Sequence, residues 1–152
     1  MEINIVNITS DDVKELYNCN KTVLPIYYYK DQYLEFINDF DHILLKAVDK
    51  DNIFIGYIIG RRENKKRFHI LSFGVYKQFR RQKVGSLLMS EIEKHALNKF
   101  DSIQFISLNV ITTNHIGIKF YENCGFKKVR LLEHYYGLNE HGFTYGKNIN
   151  MA

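Results

Sequence analysis

The sequence lacks the features that would announce several common classes of protein. Its 152 residues include only two cysteines, Cys19 and Cys124. Two thiols without a secretory leader read as free thiols in a reducing compartment rather than as a disulfide scaffold. The opening MEINIVNITSDD has neither a basic n-region nor a long apolar core, so no leader is expected. The longest apolar stretch, IFIGYIIG at Ile53–Gly60, is far too short to span a bilayer. The six histidines are scattered, and no His/Cys group has zinc-ligand spacing, so no metal is expected. A formal net charge of +4 with acids interleaved nearly everywhere argues against a nucleic-acid binder, which would gather its cations on one face. Neither GxxxxGK[ST] nor GxGxxG occurs, which excludes the P-loop and the dinucleotide fingerprint. Repeats, linkers and low-complexity tracts are missing too.

What remains is a chain that is 45% hydrophobic and 14% aromatic, enough for one globular domain spanning 1–152. Glu2 to Ile8 alternates apolar and polar residues and predicts a strand. Ser10 or Asp11 can cap a helix through Val13, Leu16 and Tyr17. Pro25, the only proline, forbids its continuation, and a second helix is expected over Asp31–Phe40. His42–Val48, Ile53–Arg61 and Arg67–Tyr76 read as three strands joined by polar turns. Residues 83–100 carry helical periodicity through Val84, Leu87, Leu88, Ile92, Ala96 and Leu97. Ile103–Val110 is a buried strand. A short helix capped by Asn114 and closed by Gly125 follows, with last strands at Phe126–Leu132 and Phe143–Ile149. The fold class is α/β, with a hairpin-rich front and a strand-helix-strand-helix back.

SFGVYKQFRRQKVGSLLMSEI, Ser72–Ile92, places Arg80, Arg81 and Lys83 where a strand gives way to a helix, with Gly85 and Ser86 just inside. A helix start already offers unpaired N–H groups and a partial positive charge, so added cations suit an anion such as phosphate. The spacing fits R-x-x-[G]-x-G through Arg80, Lys83 and Gly85. On this stretch alone, a solvated basic turn before an ordinary amphipathic helix fits equally well. The next strand leads into NVITTNHIGIKFYENCGF, Asn109–Phe126.

Together the two segments resemble the GNAT acetyltransferase family, over roughly Ile8 to Phe143. The resemblance implies the acyl-CoA N-acyltransferase fold: a mixed sheet of about seven strands with flanking helices. It implies acetyl-CoA as cofactor, its pyrophosphate wrapped by Arg80, Arg81, Lys83, Val84, Gly85 and Ser86, with Asn114 and Asn123 as further contacts. Backbone N–H groups of Phe73 and Val75 would meet the acetyl oxygen, and Tyr121 would stand beside the sulfur. One departure is Lys83, where the family usually has glycine; its side chain can point outward or add a charge-assisted contact to phosphate.

LPIYYYKDQY, Leu24–Tyr33, and EHYYGLNEHGFTY, Glu133–Tyr145, resemble substrate segments of protein N-terminal acetyltransferases, closest to the NatE and NatF types that act on Met followed by an apolar residue. HILSFGV and FYENCGF resemble the NatF branch most. Leu24, Pro25, Ile26 and Tyr28 would line the first side-chain pocket with Leu71, and Tyr135 and Tyr136, on the loop between the last two strands, would close over the peptide. Those types place a tyrosine and a histidine where this chain has His69 and Asn109. His69 can serve as the base, since imidazole titrates near 6.5, and Asn109 can orient a water. A strand histidine without a catalytic part is the other reading. The implied partners are protein N termini and a ribosome-associated auxiliary subunit. A cytoplasmic location is expected, because the NatF membrane-binding extension lies beyond where this sequence stops. Acetylation of lysine or small amines, and a non-catalytic acetyl-CoA-binding subunit, stand as alternatives.

Overall fold

A computed structural model describes residues 2–80 and 83–149. Eleven regular elements follow in chain order: β1 (Ile3–Asn7), α1 (Val13–Val23), α2 (Lys30–Ile37), β2 (His42–Asp49), β3 (Phe54–Arg62), β4 (Arg67–Val75), α3 (Val84–Lys99), β5 (Phe105–Ile111), α4 (His115–Asn123), β6 (Lys127–Gly137) and β7 (Glu140–Asn148). They build one seven-stranded sheet in the order β1-β2-β3-β4-β5-β7-β6. Every neighbouring pair is antiparallel except β4 with β5. That parallel pair is joined through α3, as a parallel crossover requires.

Strand alternation divides the core between the two faces. Ile55 and Ile58 of β3, Phe68 and Ile70 of β4, and Ile106 and Leu108 of β5 pack with Val84, Leu88, Met89 and Ile92 of α3. On the opposite face, Phe54, Tyr57 and Ile59 of β3 pack with Val13, Leu16 and Cys19 of α1 and Tyr33 of α2. Ile118 and Tyr121 of α4 join the α3 side.

Thr9, rather than Ser10 or Asp11, starts the first helical segment. Its N–H donates to Asp12 Oδ2 at 2.8 Å, and a short 3-10 turn at Ser10–Asp12 leads into α1. Pro25 falls between α1 and α2, as its missing N–H requires. Gly125, at φ 95°, closes α4 in a conformation an L side chain resists, and the Phe126 N–H returns to Tyr121 O at 3.0 Å. One expectation needs correction. Glu133–Gly137 is not loop but the far end of β6, which meets β7 again at Gly137 opposite Glu140, with the turn at Leu138 and Asn139. No residue of the segment is fully buried, so it lacks the clean apolar alternation of a half-buried strand.

Candidate active site

β4 and β5 share only four rungs, Arg67 opposite Phe105 through Ile70 opposite Leu108. Beyond them β4 continues through Leu71–Val75 and β5 through Asn109–Ile111 without pairing, so the two strands part. A bulge against β3 contributes: Gly60 faces Ile70 and Ile59 faces Ser72, leaving Leu71 as the extra residue. After it the face alternation is reset. Phe73 and Val75 turn toward α3, whereas Ser72 bonds Tyr57 at 2.7 Å on the α1 side. Backbone groups of Leu71–Val75 that face β5 therefore have no ladder partner, the condition for a ligand to take them.

On the α3 side, Lys83 precedes the helix in the left-handed conformation, φ 63° and ψ 16°. It therefore adopts the backbone shape for which the family's glycine is suited. Among the described residues no side chain caps α3, its first turn holds no acid, and Leu87 N–H is the first to close back, on Lys83 O at 3.1 Å. The N–H groups of Val84, Gly85 and Ser86 are thus left for an anion. A Cβ on Gly85 would come within 3.1 Å of Phe73 Cζ and 3.2 Å of Phe120 Cζ, so this turn is pressed against the aromatic floor of the fissure. Arg80 Nε donates to Val75 O at 3.2 Å, tying the turn to the end of β4. Val84 is itself a core side chain and offers the site only its backbone. Arg81, expected here, lies outside the described residues.

Asn114 caps α4 by accepting the Gly117 N–H at 3.0 Å, which leaves its amide NH2 to reach a ligand. Asn123 is exposed at the far end of α4. Tyr121 stands at the seam of the two strands, 6.3 Å from Phe73 and 6.1 Å from Phe126 by ring centres. Burial, reinforced by Tyr136 and Cys124, pushes its phenol far above the usual range, so it stays protonated. A hydroxyl that acidifies so reluctantly suits donation of a hydrogen bond to sulfur better than surrender of its proton to a thiolate, whose conjugate acid has a pKa of about 8.5.

On the α1 face, His69 is only 9% exposed. Its Nδ1 lies 2.7 Å from Ser107 Oγ and 4.0 Å from Glu63 Oε1, and Arg67 Nε donates to the same Ser107 Oγ at 3.1 Å. Burial lowers the imidazole pKa below its ordinary value; Glu63 opposes this, while Arg67 and Arg61 assist it. His69 is therefore neutral at physiological pH, the state a base requires. Asn109, two residues beyond Ser107 on the same face of β5, accepts from Thr144 Oγ1 at 2.8 Å and donates to the Tyr135 hydroxyl at 3.3 Å.

The α1–α2 loop forms the outer wall. Ile26 is 59% exposed and Pro25 is exposed, with Leu24 half-buried beside them. Tyr28 rests on Phe36 and Tyr33 and lies within electrostatic reach of Arg61 and Tyr135. Tyr135, 56% exposed, stands edge-on to Tyr136. Burial raises the Tyr136 phenol to about 12. The structure thus brings Tyr28, Leu71, His69, Asn109 and Tyr135 to one face of the fissure, and the α3 entry and Tyr121 to the other.

Three residues that hold this arrangement were not singled out in the sequence. The fully buried Asn20 anchors the loop, donating to Ile26 O at 3.2 Å and accepting from Tyr28 N–H and the Tyr33 hydroxyl. Its signal was present: it lies four residues after Leu16, on the buried helix face. Ser107 and Thr144 gave no such signal, because what they do depends on strand neighbours distant in sequence.

The model of the Acetyltransferase (GNAT) family matches residues 10–126. The chain belongs to the GNAT acetyltransferase family. Among its GNAT relatives, N-alpha-acetyltransferase 60 of Danio rerio is 43% identical over 86 residues, covering 54% of this chain and 36% of that protein. The match therefore spans about a third of that relative's length. An N-alpha-acetyltransferase of Sulfurisphaera tokodaii is 28% identical over 153 residues, covering 93% of this chain and 90% of that one. In structure, Arabidopsis thaliana NAA60 in complex with acetyl-CoA superposes with a TM-score of 0.86 at 21% identity, over 97% of this chain and 99% of that one. The expected seven-stranded GNAT fold is the fold observed. Among the described residues no helix is long and apolar enough to cross a membrane.

Proposed function

We propose that this GNAT protein transfers acetyl from acetyl-CoA to the α-amino group of protein N termini, with preference for Met followed by an apolar residue. The observation that carries the reading is the parting of β4 and β5 between two differently built walls. One wall offers the bare N–H groups that open α3; the other offers an apolar, tyrosine-rimmed loop. The first suits a diphosphate, and the uncapped, acid-free turn fits it. The second suits a peptide whose leading side chain is apolar. The names of both curated relatives support an α-amino acceptor.

Acetyl-CoA, when bound, supplies an activated acetyl carbonyl and a thiolate leaving group. The chain's own groups do the rest. Leu24, Pro25 and Ile26 receive the first side chain, and Tyr28 and Tyr135 exclude water and bond the peptide backbone. His69 takes the amine proton, directly or through water; an α-amino group at about 7.7–8.0 yields it far more readily than a lysine at about 10.4. Unpaired N–H groups of the Leu71–Val75 segment meet the negative charge that grows on the acetyl oxygen. Tyr121 would hold the sulfur with its hydroxyl as the N–C bond forms and the C–S bond breaks, the second amine proton passing to the departing thiolate. The two unpaired thiols support a cytoplasmic setting. An auxiliary subunit that seats the chain at the ribosome completes the proposal, and co-sedimentation with ribosomes tests it.

Mass spectrometry of a peptide library incubated with acetyl-CoA is the decisive experiment. Acetylation confined to α-amino groups, strongest for Met-apolar starts, is expected. Products only on lysine side chains or polyamines would overturn the reading. Cofactor binding without any product would favour a non-catalytic subunit.

A further inference from the structure

Asn109 stands where the resemblance to the NatE and NatF types implies a histidine, and an amide cannot take up a proton there. Its two ends are both engaged. Thr144 Oγ1, on β7, lies 2.8 Å from Asn109 Oδ1, and Asn109 Nδ2 lies 3.3 Å from the Tyr135 hydroxyl. The amide's orientation fixes the direction of the relay: its carbonyl oxygen can only accept, so the Thr144 hydroxyl donates to it, and its NH2 can only donate, so the Tyr135 oxygen accepts. Thr144 is almost fully buried and sits opposite Asn109 in the β5–β7 register, so it cannot turn away from this bond cheaply.

The consequence falls on Tyr135. Its oxygen already accepts from Asn109, so its own O–H points to something else. The ring is 56% exposed beside the fissure, on the wall proposed for the peptide. We propose that Thr144 and Asn109 are positioning residues that hold the Tyr135 hydroxyl as a donor, aimed at a carbonyl of the incoming peptide backbone. Their part in the reaction is to orient the acceptor peptide rather than to move the amine proton. This rests on the reading of the chain as a peptide acetyltransferase. It adds that the relay Thr144 to Asn109 to Tyr135 sets acceptor affinity.

Steady-state kinetics on a peptide substrate tests it. Thr144→Val removes the donor that pins the amide, which can then flip and accept the Tyr135 proton. Peptide KM is expected to rise three- to tenfold, the scale of one neutral hydrogen bond, with the effect in KM rather than kcat. Thr144→Ser keeps the hydroxyl and is expected to restore the wild-type KM. Tyr135→Phe is expected to raise KM by a similar factor, and adding Thr144→Val to it is expected to change nothing more, because both act through one bond. Unchanged KM in Thr144→Val, or additive effects in the double variant, would overturn the inference. If Thr144→Val folds poorly in a thermal melt, Asn109→Asp decides: a carboxylate only accepts, so it draws the Tyr135 O–H to itself and peptide KM is expected to rise by a similar factor, whereas an unchanged KM would overturn the inference. Wild-type protein that acetylates no peptide at all would count against the proposed function, which is a separate outcome.

Discussion

The amide Nδ2 of Asn20, in α1, donates to the carbonyl of Ile26 at 3.2 Å, so a helix residue fixes the loop in front of the fissure. The same side chain takes the Tyr28 N–H and the Tyr33 hydroxyl on its oxygen. All of this happens at a position with no solvent exposure.

Removing that amide strands three polar groups. Each buried group left without a partner costs about 1–3 kcal/mol, less where water can reach it. Asn20→Ala is expected to lower stability by about 3 kcal/mol in urea unfolding and to raise peptide KM. Tyr33→Phe breaks only one of the bonds and is expected to cost about 1 kcal/mol.

Lys83 is held at φ 63°, where an L side chain costs about 1–2 kcal/mol and glycine costs little. Lys83→Gly is therefore expected to raise stability by about 0.5–1 kcal/mol once the greater freedom of glycine in the unfolded chain is subtracted. Lys83→Val is expected to lower it by more than 1 kcal/mol. If the side chain points outward, calorimetry is expected to give the glycine variant an acetyl-CoA affinity within about threefold of wild type, less than one charge-assisted hydrogen bond would carry.

His69 gives stability a pH dependence. Burial keeps its folded-state pKa below the unfolded value of about 6.5, so the unfolded chain binds the proton first as pH falls. The stability owed to the neutral imidazole is complete above about pH 6.5 and is lost as pH drops toward the folded pKa. In His69→Phe, urea midpoints between pH 7 and pH 5 are expected to fall less steeply. The same variant is expected to lower kcat at least tenfold, a threshold below the roughly 10²–10⁴-fold that a positioned base typically provides, while acetyl-CoA still binds.

Gly85 tests the aromatic floor. A valine there would push on Phe73 and Phe120, whose rings stack 5.5 Å apart. Gly85→Val is expected to weaken acetyl-CoA binding at least tenfold by isothermal titration, with Gly85→Ala intermediate because its Cβ needs only a few tenths of an ångström of relief.

The elements with strong local signals were legible in the sequence. The periodicity over 83–100 marks α3 within a residue at each end, and Pro25 separates α1 from α2. Lys83 and Gly85 could be placed at a helix mouth because cations, glycine and the apolar pattern change together there. The Leu71 bulge could not be read, because it exists only in the register of β3 against β4. Nor could the relay through Thr144, which needs β7 laid beside β5 with the partners 35 positions apart in the chain. The far end of β6 has no core-facing side chain to set up the alternation that marks a strand.

Among the described residues, the four rungs between β4 and β5 are the only strand pairing between the first four strands of the sheet and the last three. The fissure is thus a tear that stops at Ile70 and Leu108, with a raw edge on either side. A coenzyme lying in it serves as replacement stitching, and its arrival is expected to tighten the weakest seam of the molecule at the same moment that it loads the enzyme.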